Sequence, residues 1–461
     1  MIDTTEKIPN AAVSRECSDQ ERYEKIGFYQ IDELHREIDY LKRRLSVVPE
    51  PVQWCCKHLR QLWWTTSALA GLGWLHDGSR QVAQNIASTP TISHPTVPAA
   101  DMPAPRLFLD VTVTYQSKIN TGVQRVIREL CRYGEIDGSL FPVIIDQGVF
   151  VTVPDRIALD YREGDKILLL DSSWTHTKAY VPALENAKSK GFVLILGIYD
   201  LIPIQHPGFV HPYFTKLFED WLQTTAPYCS AILAISRYSA ESFLTWARKN
   251  KIYKKIPPTG WFYLGANLPE RLDTDLEADE NALIPADFWL SVGTIEPRKG
   301  YSIALDAFDH LWRNNFELSY VIIGRQGDLS RNIIERIINH PKFGKKLFWP
   351  QNVNDRQLNQ YYRKAKGVLI PTLAEGFGLP LIEAHFHRKP IIASDLPVFR
   401  EIAPNEISFF NIADAGDLAS KIRNAHGEPS TPSSTEILSW QTATQKMVGL
   451  IKNNDYQISS S

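Results

Sequence analysis

The sequence predicts an α/β protein of two doubly wound parallel-sheet domains facing a cleft, preceded by a helical N-terminal extension. Short continuous apolar runs such as Lys166–Asp171, Phe192–Asp200 and Ala231–Ser236 alternate with helical patterns, the mark of parallel strands covered on both faces. The same rhythm restarts at Phe288–Thr294 and continues through Ser319–Gly324, Lys346–Pro350, Gly367–Thr372 and Pro390–Asp395. At 461 residues the chain is too long for one compact core, which fits two such units better than one.

From the start of the chain, residues 1–87 read as a helical extension. Ile31, Leu34, Ile38, Leu41 and Leu45 alternate spacings of three and four among charged neighbours. That pattern suits a short coiled-coil seam for self-association through 31–45, or one face of an amphipathic helix. Residues 51–75 carry Trp54, Trp63, Trp64 and Trp74 with Lys57 and Arg60, a mixture suited to peripheral contact with a membrane surface or to packing on the rest of the protein. Residues 88–105, with five prolines and no apolar periodicity, form a stiff linker.

The first sheet domain is expected over 106–275, opening on the β-branched apolar run Arg106–Tyr115. An acidic stretch, Leu276–Asp287, marks the boundary to the second domain, expected over 276–428. Residues 429–461 begin with PSTPSS and carry a helical pattern from Glu436 to Lys452.

Composition narrows the function classes. Lys plus Arg number 50 against 52 Asp plus Glu, which gives no electrostatic footprint for nucleic acid. The five cysteines are odd in number and scattered, unlike a disulfide framework or a zinc site. The first thirty residues lack an apolar signal core, and the apolar stretch Gln61–Leu75 is too short to span hydrocarbon. The expected location is cytoplasmic, with residues 51–75 offering a peripheral hold on the inner face of the cytoplasmic membrane.

The chemistry concentrates in two loops. In PTLAEGFGLPLIEAHFHRKPIIASD a strand ends near Thr372, a glycine-bearing loop follows, and Pro380 opens a helix. A helix N-terminus offers unpaired N–H groups and a positive dipole end, and Gly376 and Gly378 permit close backbone approach by an anionic ligand. Glu375 and Glu383 stand eight apart, so both can face one crevice; Glu383 suits a ribose and Glu375 a sugar ring. The second loop follows SVGT and presents Arg298 and Lys299 at a strand's carboxyl end. Two such cations can neutralise a diphosphate in place of a metal ion, each charge-assisted hydrogen bond contributing about 1.5–3 kcal/mol. His206, His211, His385 and His387 lie nearby, where packed or solvated histidines are the ordinary case.

On EGFGLPLIE (Glu375–Glu383), RKG (Arg298–Gly300) and VNDRQLNQYYRKAKGVLIPT (Val353–Thr372), the chain resembles the retaining, two-Rossmann-domain glycosyltransferases of family 4, the group 1 enzymes with the GT-B fold. NTGVQRVIREL (Asn120–Leu130), YDLIP (Tyr199–Pro203) and AISRYSAESF (Ala234–Phe243) are similar to bacterial members that assemble O-antigen or exopolysaccharide, many of them mannosyltransferases.

The resemblance implies that Arg298 and Lys299 hold the donor diphosphate, Glu383 the ribose, and Glu375 the transferred sugar. It further implies that the backbone of Gly376, Phe377, Gly378 and Leu379 contacts sugar and phosphate, and that Val353 and Asn354 lie beside the base. Gly122 and Asp200 become acceptor-side candidates, although relatives carry a double glycine where this chain has Thr121-Gly122, and a histidine near YDLIP. The implied reaction is metal-independent and cofactor-free: a hexose, with mannose from GDP-mannose the leading donor, moves with retention onto a glycan or lipid-linked acceptor. The C-terminal helix is implied to pack back on the first domain. An epimerase or phosphorylase of the same fold, or a non-catalytic membrane-surface scaffold, stays open at this point.

Overall fold

The computed structural model describes residues 105–117, 121–266, 285–403, 407–426 and 437–459. The chain divides into compact units of residues 1–81 and 82–461, and all described residues belong to the second. The predicted segments 31–45 and 51–75, and all but the last residue of the linker 88–105, lie outside the described residues.

Thirteen strands run in chain order among the described residues: β1 (Leu107–Asp110), β2 (Phe141–Asp146), β3 (Val149–Thr152), β4 (Lys166–Leu169), β5 (Val193–Ile198), β6 (Ala231–Ala234), β7 (Thr259–Trp261), β8 (Phe288–Val292), β9 (Ser319–Ile323), β10 (Leu347–Phe348), β11 (Gly367–Ile370), β12 (Ile391–Ser394) and β13 (Ser408–Phe410). The helices between and after them are α1 (Thr112–Gln116), α2 (Gly122–Ile136), α3 (Thr177–Ser189), α4 (Ile202–Gln205), α5 (Pro212–Thr225), α6 (Arg237–Lys249), α7 (Tyr301–Arg313), α8 (Arg331–Ile338), α9 (Asp355–Lys364), α10 (Leu379–Phe386), α11 (Pro397–Ile402), α12 (Ala415–Ala425) and α13 (Trp440–Asn453).

The strands form two sheets, ordered β3-β2-β1-β4-β5-β6-β7 and β10-β9-β8-β11-β12-β13. Every neighbouring pair is parallel except β2 with β3. The central strands β1, β4, β6, β11 and β12 are buried along their whole length, which is why the sequence shows them as unbroken apolar runs. Both sheets are thus doubly wound α/β domains. Among the described residues no helix is long and apolar enough to cross a membrane.

Two local differences from the sequence expectation have clear causes. The run Arg106–Tyr115 is strand only as far as Asp110, whose carboxylate accepts the Thr112 N–H at 3.1 Å and the Thr112 hydroxyl, turning the chain into α1. This side-chain bond overrides the β preference of Thr112, Val113 and Thr114. The β2–β3 hairpin turns on Gln147 and Gly148, both at positive φ, 48° and 74°. Two left-handed residues in a two-residue turn match the twist of the flanking strands.

Asp110 and Asp171 close the carboxyl ends of β1 and β4, where the order of the first sheet reverses. Asp171 accepts Thr114 N at 2.7 Å, Thr114 Oγ1 at 2.8 Å and Ser172 N at 2.7 Å, and Gln124 of α2 donates to Ser172 Oγ at 2.9 Å. Burial, then the charge of Asp171, pushes the Asp110 carboxyl up to about 7, against the opposing pull of its bonds to Thr112 and Tyr180. The folded chain therefore keeps a proton on Asp110 that the unfolded chain sheds near its ordinary value. Stability from this group is full below that value and is lost as pH rises through about 7. Asp110→Asn, which cannot ionise, is expected to unfold at a higher temperature than the wild type, by a margin that widens from pH 5 to pH 8. A constant or reversed margin in thermal melts would refute the assignment.

The C-terminal helix α13 packs on α2 of the first domain, and Trp440 at its start is completely buried. Lys166 of β4 donates to the Ile451 carbonyl and to Asn454 Oδ1, the latter at 2.7 Å. Beyond the helix, Thr259 and Ile458 exchange two backbone hydrogen bonds of 2.9 Å, so the tail is pinned to the edge strand β7.

Candidate functional site

In the second sheet the chain runs outward from β8 through β9 to β10 and then returns to β11 on the other side of β8. Such a reversal leaves a crevice at the carboxyl ends of the two flanking strands. Both loops singled out in the sequence emerge there, one after β8 and one after β11. The strands end at Val292 and Ile370, two residues before the expected Thr294 and Thr372.

After β8, Pro297–Lys299 makes a single 3₁₀ turn that ends at Gly300 with φ 67°. A Cβ at Gly300 would lie 1.8 Å from the Pro371 carbonyl oxygen, so only glycine lets this loop cross the end of β11. The crossing is locked: Leu373 N and Thr372 Oγ1 donate to the Arg298 carbonyl at 2.6 and 2.9 Å. The guanidinium of Arg298 in turn donates to the Ala374 carbonyl at 3.2 Å.

Glu375 faces both cations. Its carboxylate lies 3.2 Å from Arg298 Nη1 and accepts a short hydrogen bond from Lys299, while Arg298 also pairs with Glu296 at 3.0 Å. Burial by itself would raise the Glu375 carboxyl, but Lys299 and then Arg298 reverse this and hold it below the ordinary glutamate range. At Arg298 burial opposes the charge, and Glu375, Glu296 and Asp200 more than offset it. Lys299 and Glu375 both line a pocket shared with Ser291, Tyr301, Thr372 and Pro380. Two fixed cations that share the Glu375 carboxylate can exchange it for an arriving diphosphate.

The first domain closes over this loop. The Gly376 carbonyl oxygen lies 2.7 Å from Ser236 Oγ and 3.1 Å from Ser239 Oγ, and a Cβ at Gly376 would come within 2.2 Å of the Tyr199 carbonyl oxygen. Asp200, whose carboxylate accepts Ile202 N at 2.9 Å, senses Arg298, Glu375 and Lys299; burial raises its carboxyl despite the pull of Arg298. Asp200 thus stands against the cation cluster itself. Phe377 is buried with its ring 6.3 Å from that of Tyr263, and Gly378 opens α10 at φ 107°. Gly122 opens α2 opposite Leu379, whose Cδ1 would be 3.9 Å from a Cβ there.

Glu383 belongs to a second cluster. It sits in the second turn of α10, 3% exposed, and accepts Tyr362 OH at 2.7 Å and a short hydrogen bond from Arg125 of α2. The His387 ring stacks on Tyr362 at 5.1 Å and 8°, and burial, then Lys389 and Arg363, lowers that imidazole to about 4. Asn354 caps α9 in a reciprocal capping box with Gln357, which commits its side chain to the helix, and Val353 packs beside the core. His211 caps α5 by accepting Tyr213 N at 3.3 Å, and its own N–H donates to Asp328 at 3.0 Å.

Sequence reasoning passed over Arg125, Tyr362, Ser236, Ser239 and Glu401. Glu401 of α11 accepts Arg237 N at 2.6 Å and Tyr238 N at 2.9 Å, capping α6 from the opposite domain. Arg125 carried one legible signal: a cation near a helix N-terminus opposes the macrodipole and calls for an anionic partner.

Residues 277–435 match the family model described as Glycosyl transferases group 1. The chain is 28% identical over 375 residues to the Serotype-specific mannosyltransferase WbdA of Escherichia coli, covering 76% of this chain and 45% of that protein. It is 27% identical over 143 residues to the O-antigen chain mannosyltransferase RfbU of Salmonella typhimurium, covering 31% of this chain and 39% of that one. The chain therefore spans less than half the length of these curated relatives. Among solved structures, Anabaena Alr3699/HepE in complex with UDP and glucose superposes with a TM-score of 0.50 at 15% identity, over 76% of this chain and 98% of that one. The N-terminal domain of Candida albicans trehalose-6-phosphate phosphatase gives 0.51 at 11% identity, over 78% and 95%. At these identities the likeness is one of fold, the GT-B arrangement of two doubly wound sheet domains.

Proposed function

We propose that this chain is a glycosyltransferase of polysaccharide synthesis, moving a hexose from a nucleotide sugar bound at the second sheet onto a glycan or lipid-linked acceptor that enters from the first. The observation that carries this reading is the convergence of Arg298 and Lys299 on Glu375 at the reversal point between β8 and β11, beside the Gly376–Gly378 loop. Arg298 and Lys299 stabilise the departing nucleoside diphosphate without a metal ion or other cofactor. Glu375, released from them, supports the cationic sugar, and the acceptor hydroxyl attacks the face the leaving group vacates, with retention. The names of the relatives favour mannose, and so GDP-mannose as donor. The predicted Trp-rich segment 51–75 would hold the enzyme at the membrane face where a lipid-linked acceptor waits, and segment 31–45 would pair two copies.

Isothermal titration against GDP-mannose, UDP-glucose and dTDP-rhamnose in EDTA tests the donor site. The expected result is saturable binding of one donor, weakened at least tenfold by Lys299→Ala, followed by a product whose anomeric configuration by NMR equals the donor's. No binding of any of the three, or equal binding by Lys299→Ala, would count against the site; an inverted product would remove retention alone.

A further inference from the structure

The pair Arg125–Glu383 joins the two sheet domains through a carboxylate that is 3% exposed. Its halves are not equivalent. Tyr362 belongs to the same domain as Glu383 and is braced by the stacked His387 ring, so its bond at 2.7 Å survives any movement of the first domain. Arg125 rides on α2 and must leave Glu383 whenever the cleft opens. Burial works against the charge on Arg125, and Glu383, together with Tyr362, Asp355 and Glu129, more than restores it, so Glu383 is the foremost of the anionic neighbours on which the guanidinium depends. A carboxylate stripped of its guanidinium inside the cleft needs replacement donors, and a ribose offers two hydroxyls.

We propose that Arg125 competes with the donor ribose for Glu383. It holds the two domains together through that carboxylate, and a nucleotide must displace it to reach Glu383. The inference rests on the reading of Glu383 as the ribose-binding residue. It makes Arg125 a positioning residue that sets the cost of donor entry, with no part in the reacting bonds.

Arg125→Ala is compared with Arg125→Lys, Tyr362→Phe and the wild type by small-angle X-ray scattering without ligand and by titration with GDP, UDP and dTDP. The expected outcome is a larger radius of gyration for Arg125→Ala and at least fivefold tighter binding of whichever diphosphate the wild type takes. Arg125→Lys should fall between the two, and Tyr362→Phe, which spares the bridge, should keep the wild-type radius. An unchanged radius, an equal expansion in Tyr362→Phe, or weaker nucleotide binding by Arg125→Ala overturns the proposal, the last by making Arg125 a partner of the ligand. If no diphosphate binds the wild type or Arg125→Ala, the donor reading fails and the ribose role with it. An expansion of Arg125→Ala would then still uphold the bridge between domains.

Discussion

Glu375→Ala is expected to lower turnover by about two to three orders of magnitude, the usual cost of removing one preorganised electrostatic contact to a developing charge. The same variant is expected to bind the free nucleoside diphosphate more tightly than the wild type. Glu375 pairs with Arg298 at 3.2 Å and with Lys299 through a short bond, so a diphosphate has to displace it before it can use those cations. Removing it abolishes the competition and strips Lys299 of its carboxylate partner, leaving Arg298 with Glu296 alone at ion-pair distance. Turnover and product affinity should therefore move in opposite directions, a split that general damage to the fold would not produce. Glu375→Gln, keeping the shape without the charge, should lie between. Initial rates with labelled donor and titration with the free diphosphate measure both, and turnover within threefold of wild type would remove Glu375 from the mechanism.

Gly376→Ala is expected to lower turnover at least a hundredfold. The added methyl would lie 2.2 Å from the Tyr199 carbonyl oxygen and 2.9 Å from Asp200 Cβ, both in the opposite domain. A backbone oxygen cannot rotate aside as a flexible side chain can, so the cleft must stop short of closure. That shift withdraws Ser236 and Ser239 from the Gly376 carbonyl and moves Asp200 away from the cations. Because the clash lies at the seam between the domains, where a small relative shift relieves it, the thermal midpoint should fall by only a few degrees. Normal turnover with an unaltered midpoint would show that the cleft works without this close approach.

How much of this was legible in the sequence depended on range. Parallel strands buried on both faces announce themselves as unbroken apolar runs, and β4, β5, β6, β8, β9, β11 and β12 all fell within the runs expected. The loops after β8 and β11 were legible because each is a contiguous motif in which glycine, proline and charge stand at fixed offsets. That their side chains meet, 76 residues apart, follows from the order of strands and not from either motif. That Glu375 and Glu383 belong to two different ion clusters was not legible, since eight residues of loop and helix do not fix where a side chain finds its counter-charge. The partnership of Arg125 with Glu383 spans 258 residues and two domains; the local sequence signals that Arg125 needs an anion but not which one. The β2–β3 hairpin carries a local signal, a glycine-bearing turn between two β-branched runs, but its antiparallel pairing stands outside the parallel rhythm of the rest.

The return of α13 to the first domain has a mechanical consequence. The backbone passes from the first sheet to the second between β7 and β8, and passes back between α12 and α13. One tether would let two bodies swivel in any sense; two tethers define a line, and the remaining freedom is rotation about it. Contacts across the cleft are then ordered by their distance from that line, as points on a door are by distance from the hinge. On the first domain the Ala266 N–H donates to the Leu438 carbonyl at 2.9 Å, so the chain leaves and re-enters that domain side by side. Loosening this contact should broaden the arc through which the domains swing without altering either face of the cleft.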